Sequence, residues 1–366
     1  MEFIRPEDYL PRKQHIPDLN QYGIGLIGCG SIANTAHLPA YRKYGLKIAA
    51  CCDVSEEAAR ATAEKFDIPF WTTSVDELLE REEVAVIDLA IHPEPRLEVL
   101  RRIGRAPRPV LCQKPLALEL QHAELLAREA DRLGITLGVN QQARWAPAHK
   151  ALKTVLEQEL IGEVYSIHHN LRSFQDQAGW WWTKMKNFNI VDHGVHYADL
   201  CRYFNPYPEE WSRVHCTTAQ LRQQNAVDPL IYSANVEFGP KGGRNPFMAS
   251  LHFNNIVKAG RSHSHTWWVD GTEGSLWCTQ DTLYMALNRH KNVVHEIKLK
   301  GTWFPDAFAG SMLAFITALE EGGRPPVTPD DNLQTVALTT AMVLSSQEGR
   351  VVERTDVLKG SVLSHE

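Results

Sequence analysis

The chain reads as two fold classes in succession, an α/β half built on a doubly wound parallel sheet and then an α+β half with a β-rich core. Three observations predict this. At 366 residues and 41.4 kDa the chain exceeds what one hydrophobic core usually serves. Between residues 22 and 140 short apolar runs alternate with longer amphipathic ones. After Pro147 that alternation stops, and from Leu230 onward β-rich runs are separated by Gly, Asn and Asp turns.

Taken in order, residues 23–27, 46–52, 84–90, 110–112 and 135–139 are continuous apolar runs of strand length, with 70–72 as a short edge strand third in the series. Residues 55–66, 74–80, 95–103 and 119–133 show helical spacing, several opening on Ser or Pro. Strands alternating with helices require right-handed crossovers, hence a parallel sheet covered on both faces. Such sheets bind ligands at the carboxyl ends of their strands.

The first strand runs into Gly28-Cys29-Gly30-Ser31-Ile32-Ala33, a G-x-G-x-x-A pattern that opens a helix. Gly28 permits a tight turn, Gly30 lets the backbone approach a pyrophosphate, and small Ala33 allows close packing of helix on strand. The amides around Ser31 and Ile32, with the helix dipole behind them, suit a diphosphate. The second strand ends at Asp53, whose carboxylate can accept from both adenosine ribose hydroxyls and would repel a 2′-phosphate. The expected cofactor is therefore NAD rather than NADP. The expected boundaries follow: an N-terminal extension over 1–21, a dinucleotide-binding domain over 22–146, and a substrate-binding and oligomerisation domain over 147–366.

A net charge of −6 leaves no basic excess to gather nucleic-acid phosphates or anionic lipid. No segment sustains the roughly 20 apolar residues of a membrane helix, and residues 1–20 do not form a signal peptide. Seven cysteines without a C-x-x-C pair argue against a disulfide framework and a structural zinc site. A cytoplasmic setting fits best. His263 and His265 alternate on an expected strand and should face the same side, but no carboxylate or cysteine stands at ligand spacing, so no metal is expected.

The fifth strand ends Val110-Leu-Cys-Gln-Lys-Pro-Leu116, and here the chain resembles the Gfo/Idh/MocA oxidoreductases, whose usual signature is Glu-Lys-Pro. The resemblance continues through residues 140–147 (NQQARWAP), 161–165 (IGEVY), 192–199 (DHGVHYAD), 271–275 (GTEGS) and 331–333 (DNL), in the family's order. It implies a Rossmann domain followed by an α+β domain on a large, mostly antiparallel open sheet. A sheet with one face on its own helices leaves the other needing cover, commonly another subunit, so a homo-oligomer, dimer or tetramer, is expected.

By this resemblance Lys114, Asp192 and His196 form the catalytic set. Lys114 hydrogen-bonds a substrate hydroxyl, His196 takes its proton as hydride leaves the same carbon, and Asp192 orients substrate or imidazole. Helical spacing places Asp192, His196, Asp199 and Tyr203 on one stripe of a single helix. His193, one residue away on another face, is a rival base. His92, Gln113, Lys114 and Asn140, at the ends of the later parallel strands, complete the expected cofactor contacts. Arg144, Trp145, Trp181, Lys184 and His193 join the catalytic three as expected substrate contacts.

The chain departs from the family pattern at three places: Gln113 replaces the usual Glu, Lys186-Asn-Phe-Asn189 replaces a glycine-rich run, and Trp180-Trp-Trp-Thr-Lys184 stands where relatives often have Trp then Arg. The function implied is hydride transfer between a secondary alcohol of a sugar, cyclitol or glycoside and nicotinamide. Two alternatives stand beside it. One is a redox-neutral enzyme that retains its NAD through elimination or epimerisation, the other a non-catalytic NAD-binding protein.

Overall fold

A computed structural model describes residues 3–12, 16–239, 246–291, 293–359 and 361. The chain divides into two compact units, one of Leu10–Ala146 and Thr302–Leu333, the other of Met1–Tyr9, Pro147–Gly301 and Gln334–Glu366.

In the first unit, β1 (Ile24–Ile27), β2 (Ile48–Cys52), β3 (Trp71–Thr72), β4 (Val86–Leu89), β5 (Val110–Gln113) and β6 (Leu137–Asn140) form one sheet ordered β3-β2-β1-β4-β5-β6. Every pairing in it is parallel. Apolar side chains fill both faces, which is why these strands read as unbroken hydrophobic runs. Ser55 and Ser74 cap the helices Glu56–Phe66 and Val75–Leu79 by accepting from the amides of Ala58 and Glu77.

The helix Asp306–Glu320 belongs to this unit, although it follows most of the second half of the chain. Phe308, Met312, Phe315 and Ile316 are buried in the same core as Ile24, Leu26 and Leu111. Gly138 in β6 leaves the space that the Phe315 ring takes, since a Cβ there would lie 2.9 Å from it. The first unit is thus discontinuous, which differs from the expected 22–146 and 147–366. The physical reason is that the β6 end of the sheet needs an apolar cover, and the chain supplies it from residues 302–333.

In the second unit, β7 (Val164–Arg172), β8 (Trp211–Ala219), β9 (Ile231–Phe238), β10 (Phe247–Asn254), β11 (Ser264–Gly271), β12 (Gly274–Cys278), β13 (Thr282–Leu287), β14 (Val294–Lys298) and β15 (Val352–Glu353) form a mixed, mostly antiparallel sheet. Their order is β14-β13-β12-β11-β7-β10-β9-β8-β15, and only β7 with β10 is parallel. Its inner face carries Ile167, His169, Leu251, Phe253, Trp267 and Val269, all buried, and the helices Pro147–Leu156 and Val195–Phe204 pack there. On the opposite face Trp268, Trp277 and Tyr284 sit in register on adjacent strands and stack at 4.6 and 5.2 Å.

His263 precedes β11 and is exposed, its Nε2 on the carbonyl of Val257 at 2.7 Å, whereas His265 within β11 is buried. The two rings therefore do not share a face as alternation suggested, because the strand begins only at Ser264. Among the described residues no helix is long and apolar enough to cross a membrane.

Candidate active site

At the carboxyl edge of the parallel sheet the chain turns sharply after β1. Gly28 has φ +103°, and a Cβ on it would lie 2.6 Å from the carbonyl oxygen of Ala90, so both conformation and space demand glycine. Around Gly30 no heavy atom comes within 4 Å of where a Cβ would stand, leaving the loop open for close approach. Ser31 and Ile32 begin the helix that follows, which makes a π turn over Ala33–His37 and continues as Leu38–Tyr44.

Asp53 lies just past β2. Its Oδ2 accepts from the Cys29 amide at 2.7 Å and its Oδ1 from the Ser55 amide at 2.9 Å, so the carboxylate ties the two loops together. A carboxylate oxygen accepts more than one hydrogen bond, leaving capacity for ribose hydroxyls.

Further along this edge Gln113 and Asn140 end β5 and β6 opposite one another. The buried Gln113 Oε1, both side-chain polar atoms of Asn140 and both of Gln141 have no hydrogen-bond partner among the described residues. Each unmet buried group costs about 1–3 kcal/mol. Such a cluster fits a polar ligand, and an amide-bearing nucleotide would meet it with donors and acceptors of its own. His92 lies on the exposed loop after β4.

Lys114 is half-buried directly after β5, joined to Pro115 by a cis peptide. Arg96, 1% exposed, grips this corner: Nη1 donates to the carbonyls of Pro115 and Leu116, and Nη2 to that of Ile91 at 2.6 Å. It thereby holds the loop carrying Lys114 against the loop carrying His92. Sequence reading did not single out Arg96. A signal was present, since it opens the helix Arg96–Ile103, where a cation opposes the helix dipole and needs another purpose.

Arg144 and Trp145 follow β6 in a short 3-10 turn. Arg144 is buried and pairs with Asp331 at 2.8 Å. Trp145 packs on the helix Asp306–Glu320, where a Cβ on Gly310 would lie 2.8 Å from its own. Both brace the end of β6 through the 302–333 segment.

In the second unit the expected catalytic helix is broken. Residues Phe188–Val191 form one turn, 192–194 interrupt it, and Val195–Phe204 resumes. Gly194 sits at the crossing, where a Cβ would lie 2.6 Å from the carbonyl oxygen of Asn189. The single stripe from Asp192 to Tyr203 therefore does not form. Asp192 and His193 occupy the break, both half-buried, and buried His196 lies in the first turn beyond it. Asp199 is fully buried and accepts from Thr335, which makes it a core anchor.

The tryptophan run precedes this element. Trp181 and Lys184 lie in an exposed 3-10 turn, while Trp182 stacks on Phe188 at 5.8 Å. Asp176, 5% exposed, accepts from the amides of Asn225 and Ala226 at 2.9–3.0 Å, and so pins the neighbouring loop. Among the described residues no group of three or more His, Cys, Asp or Glu is placed to hold a metal ion.

Residues 22–141 match the NAD-binding Rossmann fold of the Gfo/Idh/MocA oxidoreductase family, and residues 153–353 match that family's C-terminal alpha/beta domain. The chain belongs to this family. As a Gfo/Idh/MocA protein it carries an NAD-binding Rossmann fold in its first unit.

Among its relatives, the D-apiose dehydrogenase of Paraburkholderia graminis is 27% identical over 351 residues, spanning 90% of this chain and 88% of that protein. The 1,5-anhydro-D-fructose reductase of Ensifer adhaerens is 25% identical, spanning 90% and 97%. An oxidoreductase from Agrobacterium radiobacter, solved with NAD+, L-tartaric acid and magnesium, shares the fold at TM-score 0.79 and 21% identity, covering 92% of this chain and all of that one. A levoglucosan dehydrogenase solved with NADH and levoglucosan has TM-score 0.78 at 18% identity, covering 91% and 98%.

Proposed function

We propose that this protein is an NAD-dependent oxidoreductase that moves a hydride between a secondary alcohol of a sugar, cyclitol or glycoside and nicotinamide. The observation that carries this reading is a glycine-loop cradle whose sheet edge ends in the unpartnered Gln113 Oε1 and Asn140 side chain with Lys114 beside them, in a chain that also holds Asp192 in a helix break and His196 in the first turn after it. The sugar-acting names of the two relatives above support the substrate class.

When bound, the nicotinamide accepts or returns the hydride; the protein supplies position and proton handling. Lys114, held at its corner by Arg96, donates to the reacting oxygen and favours its ionised form. His196 takes the hydroxyl proton as general base. Asp192 orients that proton transfer. Trp181, Lys184, His193, Arg144 and Trp145 complete the proposed set of substrate contacts.

Lys114→Ala and His196→Ala should each keep NAD binding, read by fluorescence, and lower kcat by about 10²–10⁴. Near-normal turnover in both variants would remove the mechanism. NADH formed in proportion to sugar consumed separates net oxidation from a redox-neutral cycle.

The stacked Trp268, Trp277 and Tyr284 on the free sheet face support a homo-oligomer closed over that face. A single sedimenting species at the monomer mass of 41.4 kDa would refute it. Seven free, buried thiols support a reducing, cytoplasmic setting, which localisation of the tagged chain checks.

A further inference from the structure

The catalytic segment contains two histidines, and their neighbours treat them differently. Asn255, directly after β10, is fully buried. Its backbone is fixed on both sides: its amide donates to Leu230 at 2.9 Å and its carbonyl accepts from Gln175 at 2.8 Å. Its side chain bridges three elements. Oδ1 accepts from the Ser173 hydroxyl at 2.5 Å, while Nδ2 donates to Asn189 Oδ1 at 2.8 Å and meets His193 Nδ1 at 3.0 Å.

An amide NH₂ has two hydrogens, and these two contacts use both. His193 Nδ1 therefore accepts, and a ring nitrogen that accepts carries no proton. The remaining proton of the neutral ring sits on Nε2. Phe253 meets the ring edge-on at 5.0 Å, and Phe188 and Tyr197 stand at 6.1 Å, so the ring plane is boxed as well. Protonating Nδ1 would turn donor against donor. Relieving that by rotating the Asn255 amide would set its Oδ1 against Asn189 Oδ1 and reverse the bond to the Ser173 hydroxyl.

We propose that Asn255 is a positioning residue that locks His193 as its Nε2–H tautomer, making His193 a hydrogen-bond donor to a substrate oxygen and leaving His196 as the base. The assignment rests on the oxidoreductase reading for the substrate contact, but the tautomer itself does not. The same amide also fixes Asn189 and so holds both sides of the break that presents Asp192.

The test begins with the unaltered full chain, ¹⁵N-labelled at histidine. At pH 8 His193 should show a bare Nδ1 and a protonated Nε2; a protonated Nδ1 there overturns the proposal whatever the activity. Asn255→Asp replaces the donor by an acceptor and should move the proton to Nδ1, with kcat/KM falling about 10–100-fold and a new dependence on pH below 7. An unchanged pH profile and KM overturn the positioning role. His193→Gln, which keeps a donor, should retain more kcat/KM than His193→Phe; equal values in the two overturn the donor role even if Asn255→Asp fails to fold. Absence of turnover on every sugar, with the expected ring signals intact, would strike the functional reading and spare the tautomer.

Discussion

Asp53 does two things with one carboxylate. Its bonds to the amides of Cys29 and Ser55 tie the glycine loop to the end of β2, and in the function proposed above its charge repels a 2′-phosphate. Asp53→Ala should lower kcat/KM for NAD by about 10–100-fold, since charge-assisted hydrogen bonds are worth roughly 1.5–3 kcal/mol, while NADP loses a repulsive neighbour and gains relative to NAD. Steady-state rates with both cofactors read this directly, and a wild-type protein that already uses NADP as well as NAD sinks it. Residues such as Gly28, Gly30 and Asp53 are legible in a bare sequence because their reasons are local, a turn and the strand end beside it. Arg96 and Asn255 are not. Arg96 acts on carbonyls 19 and 20 residues away, and Asn255 on a ring 62 residues away, so their work exists only once the strands are paired.

At the scale of elements, the alternation between residues 22 and 140 was enough to place six strands and the helices between them, because a sheet buried on both faces writes itself as apolar runs. A buried carboxyl group stands inside one of those runs. Asp88 lies fully buried in β4, where its Oδ2 meets His37 Nδ1 and accepts from the Tyr41 hydroxyl, each at 2.7 Å. Burial first, and then the Asp88 charge, pushes the Tyr41 hydroxyl well above its usual range, so it stays a donor. The helix break at 192–194 was not legible, since the apolar positions 191, 195, 198 and 201 keep helical spacing straight across it. At the break Gly194 lies tight against the preceding turn, where a Cβ would stand 2.6 and 2.8 Å from the carbonyl oxygens of Asn189 and Ile190. The apolar character of residues 306–320 was equally plain in the sequence, but the unit they cover was not.

For the molecule as a whole, the inner face of the large sheet carries a liability in acid. His169 stacks on Tyr197 at 4.3 Å and meets His265 edge-on at 5.3 Å, both histidines buried. Burial, followed by the neighbouring histidines, pushes both rings well below the usual imidazole range, so they fold neutral. The unfolded chain binds these protons near pH 6.5 and the folded chain only at lower pH. Their contribution to stability is therefore complete above pH 6.5 and is lost as the pH falls below it, at up to about 1.4 kcal/mol per pH unit for each ring. Urea midpoints should drop between pH 6.5 and 5, and less steeply in His169→Phe; parallel slopes in the two proteins would exclude the cause.

The chain passes between its two units four times, at 9–10, 146–147, 301–302 and 333–334. That threading limits how the protein can be recombined. A graft made at Pro147, where the motifs change character, would give the nucleotide-binding half a foreign 302–333 and set a stranger's side chain against Gly138. Exchanging the second unit with that of a relative therefore calls for a cassette with a gap in it, residues 147–301 and 334–366 swapped while 302–333 stays with the sheet it was shaped for.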